Sequence, residues 1–318
     1  MKKRLSNQFF IAAALLCSSI IIGCETNRLT PPIGKFQESM NESSAILGTY
    51  YREVNSFERD VYLEERLSDP NLEVSTKENG ERTAILGQFS EESIQARIDT
   101  LTLLGIYGER LAELSGSDVP GRFAEGATVL GENLTKLDYR FKQLSGDKND
   151  TTALHYAGPI GTIVGLVGQR FLEAKRDEAI REAVLEGAPA VRKILDFLEG
   201  DISDRILLLQ TSGSRQILED RIRFYNENRK KRTRNDRRKD LEQINIAAKR
   251  CLLIQSSNPI GLVQGMRETH EALTAYVGSD KKQVDFATFV SALELFRNRV
   301  REISVAVQQL REIRSSPL

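Results

Sequence analysis

Apolar residues step along this chain by four and three alternately. Phe36, Met40, Leu47, Tyr50, Val54, Phe57 and Val61, with Ser43 in the same series, set the first such run. That spacing keeps a stripe on the side of an α-helix that meets a partner. The rhythm returns at Phe123, Ala127, Leu130, Leu134, Leu137, Phe141 and Leu144, where Asp118 is placed to cap a helix and Pro120 to open it. It returns again at Phe286, Phe289, Leu293, Phe296, Val300, Ile303, Val307 and Leu310. Weaker stripes cover residues 94–114, 180–198, 202–222 and 241–254. The pattern predicts about seven helices, several of them long.

Breakers punctuate the stripes. Pro70, Pro120, Pro189 and Pro259 read as boundaries, because a proline lacks the amide hydrogen that a helix interior needs. The segment ETNRLTPPIG, residues 25–34, is short and polar with paired prolines, and reads as a tether ahead of a body that spans 36–318 and has a candidate subdivision near 200. Within residues 72–86, Asn79-Gly80 lies between threonine-rich and aliphatic stretches, the pattern of a small β-hairpin, with an irregular loop as the alternative. Stripes of heptad spacing favour aligned neighbours crossing near 20°. The expected fold is all-α: an elongated antiparallel multi-helix bundle with coiled-coil-like heptad stripes, which could also pair in a homo-oligomer.

The first 24 residues follow another logic. Lys2, Lys3 and Arg4 precede an apolar run from Phe9 to Ile22, too short to span a bilayer and laid out as an export signal. The segment ends Ile21-Ile22-Gly23-Cys24, which resembles the lipobox of bacterial lipoproteins. The resemblance covers residues 1–24 only. It implies removal of residues 1–23, a covalent diacylglycerol and palmitate on Cys24, and a lipidated tether over 24–35. Cys17 fits less well, because the bulky Leu16 precedes it. Two or three acyl chains would hold the protein at a membrane, since a single chain is marginal. The alternatives are an ordinary cleaved signal or an uncleaved anchor. Among enteric lipoproteins an aspartate after the cysteine is similar to a retention mark for the inner membrane; Glu25 stands there instead, which favours the outer membrane if the cell is Gram-negative.

Composition agrees with a polar helical body. Charged residues make up 28% of the chain, aromatics 7%, and tryptophan is absent. Lysine plus arginine and aspartate plus glutamate each number 45, so loss of Lys2, Lys3 and Arg4 leaves 42 against 45 and a formal charge near −3. No general affinity for polyanions follows. With Cys17 removed and Cys24 lipidated, Cys251 has no partner within the chain and reads as a small buried hydrophobe.

Two segments are candidates for binding. Arg229, Lys230, Lys231, Arg232, Arg234, Arg237, Arg238 and Lys239 share residues 229–239 with one acid, Asp236, for a local charge of +7. Such a run suits anionic head groups or acidic envelope polymer, and its bland reading is a solvated helix or loop. Nucleic acid fits poorly, because no stacking aromatics are interleaved. Residues 151–169 carry no charge, and Gly158, Gly161, Gly165 and Gly168 include one GxxxG pair, Gly161 and Gly165. These glycines suit either a membrane-contact segment or tight helix packing in the bundle.

Catalytic and metal signatures are weak. His155 and His270 form no recognised metal pair, and no zinc or di-iron motif accompanies them. Ser145 with Lys148 and Ser279 with Lys282 match Ser-x-x-Lys, but in polar, loop-like sequence rather than at a helix start. No Gly-Lys-Ser/Thr follows the glycines to make a phosphate loop. The sequence therefore predicts no cofactor other than the acyl groups, no metal and no catalysis. It predicts a lipid-anchored envelope protein that binds or scaffolds a protein partner through helix faces. The alternative is a membrane-perturbing or pore-forming bundle that inserts residues 151–169.

Overall fold

The computed structural model describes residues 25–78, 81–87, 89–116, 176–280 and 283–315. In chain order these form α1 (Glu25–Ser68), a hairpin of β1 (Lys77–Glu78) and β2 (Glu81–Arg82), a 3-10 turn (Ala84–Leu86), α2 (Glu91–Gly116) and α3 (Arg176–Asp201). A π-helical segment (Ile202–Leu207) leads on to α4 (Leu208–Asn228), followed by α5 (Arg234–Ser256), α6 (Pro259–Gly278) and α7 (Gln283–Ser315). The fold is an all-α multi-helix bundle.

Helix α1 is the seam of the molecule, and its 44 residues correspond to about 66 Å of helix at 1.5 Å per residue. It packs against α2, α4, α6 and α7. Phe36, Met40, Ser43, Leu47, Tyr50, Val54 and Phe57 are all buried, as the four-three stepping requires. The helix begins at Glu25 rather than at Phe36, so residues 25–34, read from the sequence as a tether, are helical. Leu29 and Ile33 extend the same stripe backwards and are buried. Burial of that face outweighs the amide hydrogens missing at Pro31 and Pro32, which lie inside the helix.

Helices α1 and α2 run antiparallel, and so do α6 and α7. Thr30 meets Ser115 and Asn55 meets Phe89 across α1 and α2, while Tyr276 meets Phe286 and Glu268 meets Arg299 across α6 and α7. Helix α7 returns parallel to α1, since Lys35 pairs with Glu294 and Thr49 with Arg311. On α7, Phe289, Leu293, Phe296, Val300, Ile303 and Val307 are buried in the predicted order.

The β-hairpin pairs Lys77 with Arg82 and Glu78 with Glu81. An isolated hairpin is marginal in water. This one is tied to α1 through the Tyr62 hydroxyl, which donates to the Ser75 carbonyl at 3.0 Å and accepts from the Ser75 amide at 2.9 Å.

Two boundaries differ from those predicted. Pro189 lies inside α3, at an exposed position where its ring meets solvent. The candidate subdivision near 200 falls within continuous helix, and the core cluster joins residues on both sides of it. Ile194, Leu198, Ile202 and Ile206 are all buried at successive steps of four, and on a regular α-helix each such step drifts by about 40°. The wider π turn at Ile202–Leu207 absorbs the drift and keeps these side chains inside.

Helix α6 is an addition to the stripes read from the sequence. Asn258 caps it, its side chain accepting from the Gly261 amide, and Pro259 occupies the first turn. Its buried positions include Gly261, Gly265, Thr269 and His270 beside Leu262, Val263, Met266 and Leu273. Small and polar residues at core positions hid its periodicity. Gly265 lets α7 approach, because a methyl group there would sit 2.6 Å from Phe296 Cδ2.

Candidate functional site

The basic run forms the turn of the α4–α5 hairpin. Helix α4 ends at Asn228, and Thr233 caps α5 in a reciprocal arrangement with Asp236. The Thr233 hydroxyl accepts from the Asp236 amide at 3.2 Å. The Asp236 carboxylate in turn accepts from the Thr233 hydroxyl at 2.7 Å and from its amide at 3.3 Å. Those hydrogen bonds hold the Asp236 carboxyl below its usual range, with Arg232 and Lys239 adding to the effect.

Around this cap Arg229, Lys230, Lys231, Arg234, Arg237, Arg238 and Lys239 are exposed and Arg232 is half-buried. Arg232 lies 3.3 Å from Asp240 and stacks over Phe224. Arg238 faces Glu242 at 3.8 Å, and Arg229 donates to Asn226. Arg229, Lys230, Lys231, Arg234, Arg237 and Lys239 form no ion pair among the described residues. Two cations, Arg234 and Arg237, stand in the first turn of α5. A helix's positive end disfavours cations there by roughly 0.3–1 kcal/mol each at low ionic strength. An anion bound at the turn would reverse that penalty.

The turn lies beyond the far end of α1. Near the end of α1, Glu65 meets Gln216 of α4 at 3.0 Å, and Glu64 meets Arg221, whose guanidinium reaches both carboxylate oxygens at 3.2 and 3.1 Å. Past Arg221 the hairpin exposes Ile222, Phe224 and Leu241.

A cleft of about 520 Å³ opens between α1, α4, α5 and α7. Its floor is Tyr50, Phe57, Gln210, Ile217, Ala247 and Ile254, all buried. Burial pushes the Tyr50 hydroxyl up, against the influence of the Ser257 hydroxyl beside it. Arg250 spans the wall, paired with Asp60 at 2.9 Å and lying over the Phe57 ring. Arg221 also donates to Gln243 Oε1 at 2.9 Å. Sequence reasoning missed this cleft, whose walls come from four separated segments. Its one local signal is Gln210, a polar residue continuing the series Ile202, Ile206.

Two buried polar pairs are structural. Arg97 grips Asp201 through two bonds of 2.8 and 3.0 Å, with Ser93 and Phe89 also against the guanidinium. The Tyr107 hydroxyl and His270 Nε2 share a hydrogen bond of 2.8 Å. Burial lowers His270 to about 4, helped by the charge of Arg192.

Cys24, the stripe at 123–144, and Gly158, Gly161, Gly165 and Gly168 in the uncharged segment lie outside the described residues, as does His155. Ser279 is the C-cap of α6, not the start of a helix, and its hydroxyl donates to the Tyr276 carbonyl. Cys251 is buried. Among the described residues no helix is long and apolar enough to cross a membrane, and no three metal-ligating side chains converge. No protein-family model, curated protein or solved structure matches this chain.

Proposed function

We propose that this protein is a non-catalytic envelope lipoprotein, anchored to a membrane, with the outer membrane favoured, through acyl groups on Cys24, and that it grips an anionic surface with the α4–α5 turn. The observation that carries the reading is the exposure of seven basic side chains at that turn, six of them without an ion pair among the described residues. Its position supports a bridging role. Cys24 immediately precedes the first residue of α1, whereas the turn lies past Glu64 on the same helix. The two are separated by roughly 60 Å of helix at 1.5 Å per residue. An anchor at one end and a cationic turn at the other suit a spacer between a membrane and an acidic layer facing it. A second copy or another envelope protein would then dock on the helix faces between them.

Reconstitution of the lipidated protein into zwitterionic vesicles tests this. At low salt these vesicles should capture anionic vesicles in a light-scattering or sedimentation assay. Each charge removed among Lys230, Lys231, Arg234 and Arg237 by substitution with glutamine should weaken capture about fivefold, from roughly 1 kcal/mol per basic residue near an anionic surface. Cys24→Ser should abolish both palmitate labelling and anchoring. Capture unchanged in the four-glutamine variant would overturn the role of the turn, and anchoring unchanged by Cys24→Ser would overturn the lipid attachment.

A further inference from the structure

We infer that the groove between α5 and α7 is the contact surface of a homodimer, each copy covering the groove of the other about a two-fold axis. The inference deepens the docking role of the helix faces and rests on that reading, but it uses neither Cys24 nor the basic turn. The shallow groove measures about 470 Å³ and is lined by Lys249, Leu252 and Leu253 of α5 and by Gln309, Glu312 and Ile313 of α7. Leu252 is 65% exposed, and Val305, one turn ahead of Gln309 on the same side of α7, is 56% exposed. A second surface laid over the groove would take this apolar area out of water.

The occupant is read from the charged rim. Lys249 is exposed and forms no ion pair among the described residues. Glu312, on the other helix, is also exposed, and it accepts from Gln308 at 3.0 Å. The rim therefore carries one charge of each sign and no net charge. An anionic bilayer or polymer would meet the Glu312 carboxylate along with Lys249 and gain nothing on balance. A helix that lies in a membrane surface presents a broad apolar face flanked by cations, which this rim is not. An apolar patch held between opposite charges is complementary to itself. A two-fold axis lying in the contact plane, midway between the two charges, sets Lys249 of each copy opposite Glu312 of the other and shelters both Leu252 side chains. Attachment of both copies to one membrane raises their effective concentration, so a small contact suffices.

Sedimentation equilibrium of the full chain in a density-matched non-ionic detergent tests the assignment. The parent should pass from monomer to dimer across the micromolar range and dissociate more readily at high salt. Lys249→Glu and Glu312→Lys should each weaken the dimer by about tenfold or more, because a two-fold contact counts every reversed charge twice. An equimolar mixture of these two variants should regain the parent affinity, since each reversed charge then faces its opposite on the other copy. Pairing within one chain would not respond to mixing, and recovery also shows that both variants fold. Leu252→Glu, at an exposed position, should weaken the dimer at least as much as either reversal. Vesicle capture and palmitate labelling depend on none of these three residues, so the envelope reading stands or falls separately. The inference is overturned if the parent stays monomeric, as it would if a different protein covered the groove, if either charge reversal leaves the dimer unaffected, or if mixing restores nothing.

Discussion

His270 shows how one side chain couples the bundle to pH. Free histidine titrates near 6.5, whereas burial holds His270 near 4 in the folded chain. Between those values the unfolded chain takes up a proton that the folded chain refuses. The stability that depends on neutral His270 is therefore fully present above pH 6.5, falls as the pH drops towards 4, and changes little further below that. The loss is on the order of 3 kcal/mol. Urea unfolding at a series of pH values should show this slope, and His270→Asn should flatten it relative to the parent. A parent and variant with parallel profiles would contradict the burial argument. Neither His270 nor its partner Tyr107 was legible as a pair, because they are separated by 163 positions in sequence. The basic residues were legible, since a dense run of like charge needs no distant partner to be recognised; their place at a helix turn was not, because Thr233 and Asp236 cap α5 in the middle of the run.

At the scale of elements, the helices whose stripes were built from large aliphatic and aromatic residues stood out in the sequence, as α1 and α7 show. Helix α6 did not, because its contacts depend partly on what is missing. A methyl group at Gly265 would meet Phe296, and one at Gly213 would sit 2.7 Å from Val61 and 2.8 Å from Phe57. These glycines bring α6 to α7 and α4 to α1. Gly265→Ala should therefore destabilise the fold by about 1–3 kcal/mol, the usual range for overpacking, despite alanine's better helix propensity. Thermal unfolding would check the sign: a variant more stable than the parent would mean that Phe296 has room to move. The prolines misled for the opposite reason. Their local rule is sound, but at Pro31, Pro32 and Pro189 burial of the flanking stripe prevails over it.

For the molecule as a whole, helical class and the small hairpin followed from periodicity and turn chemistry, while the cleft needed four segments to be brought together. The parallel return of α7 along α1 joins Lys35 to Glu294, 259 positions apart. The first of the described helices therefore waits for the last of them before its apolar side is fully sheltered, and contacts so remote in sequence form slowly. A shortened chain ending at Gly278 should accordingly give no cooperative thermal transition, a result that differential scanning calorimetry would reveal. For the export proposed above, the same delay would be an advantage: a nascent chain unable to complete its fold early would reach a narrow translocation channel still threadable.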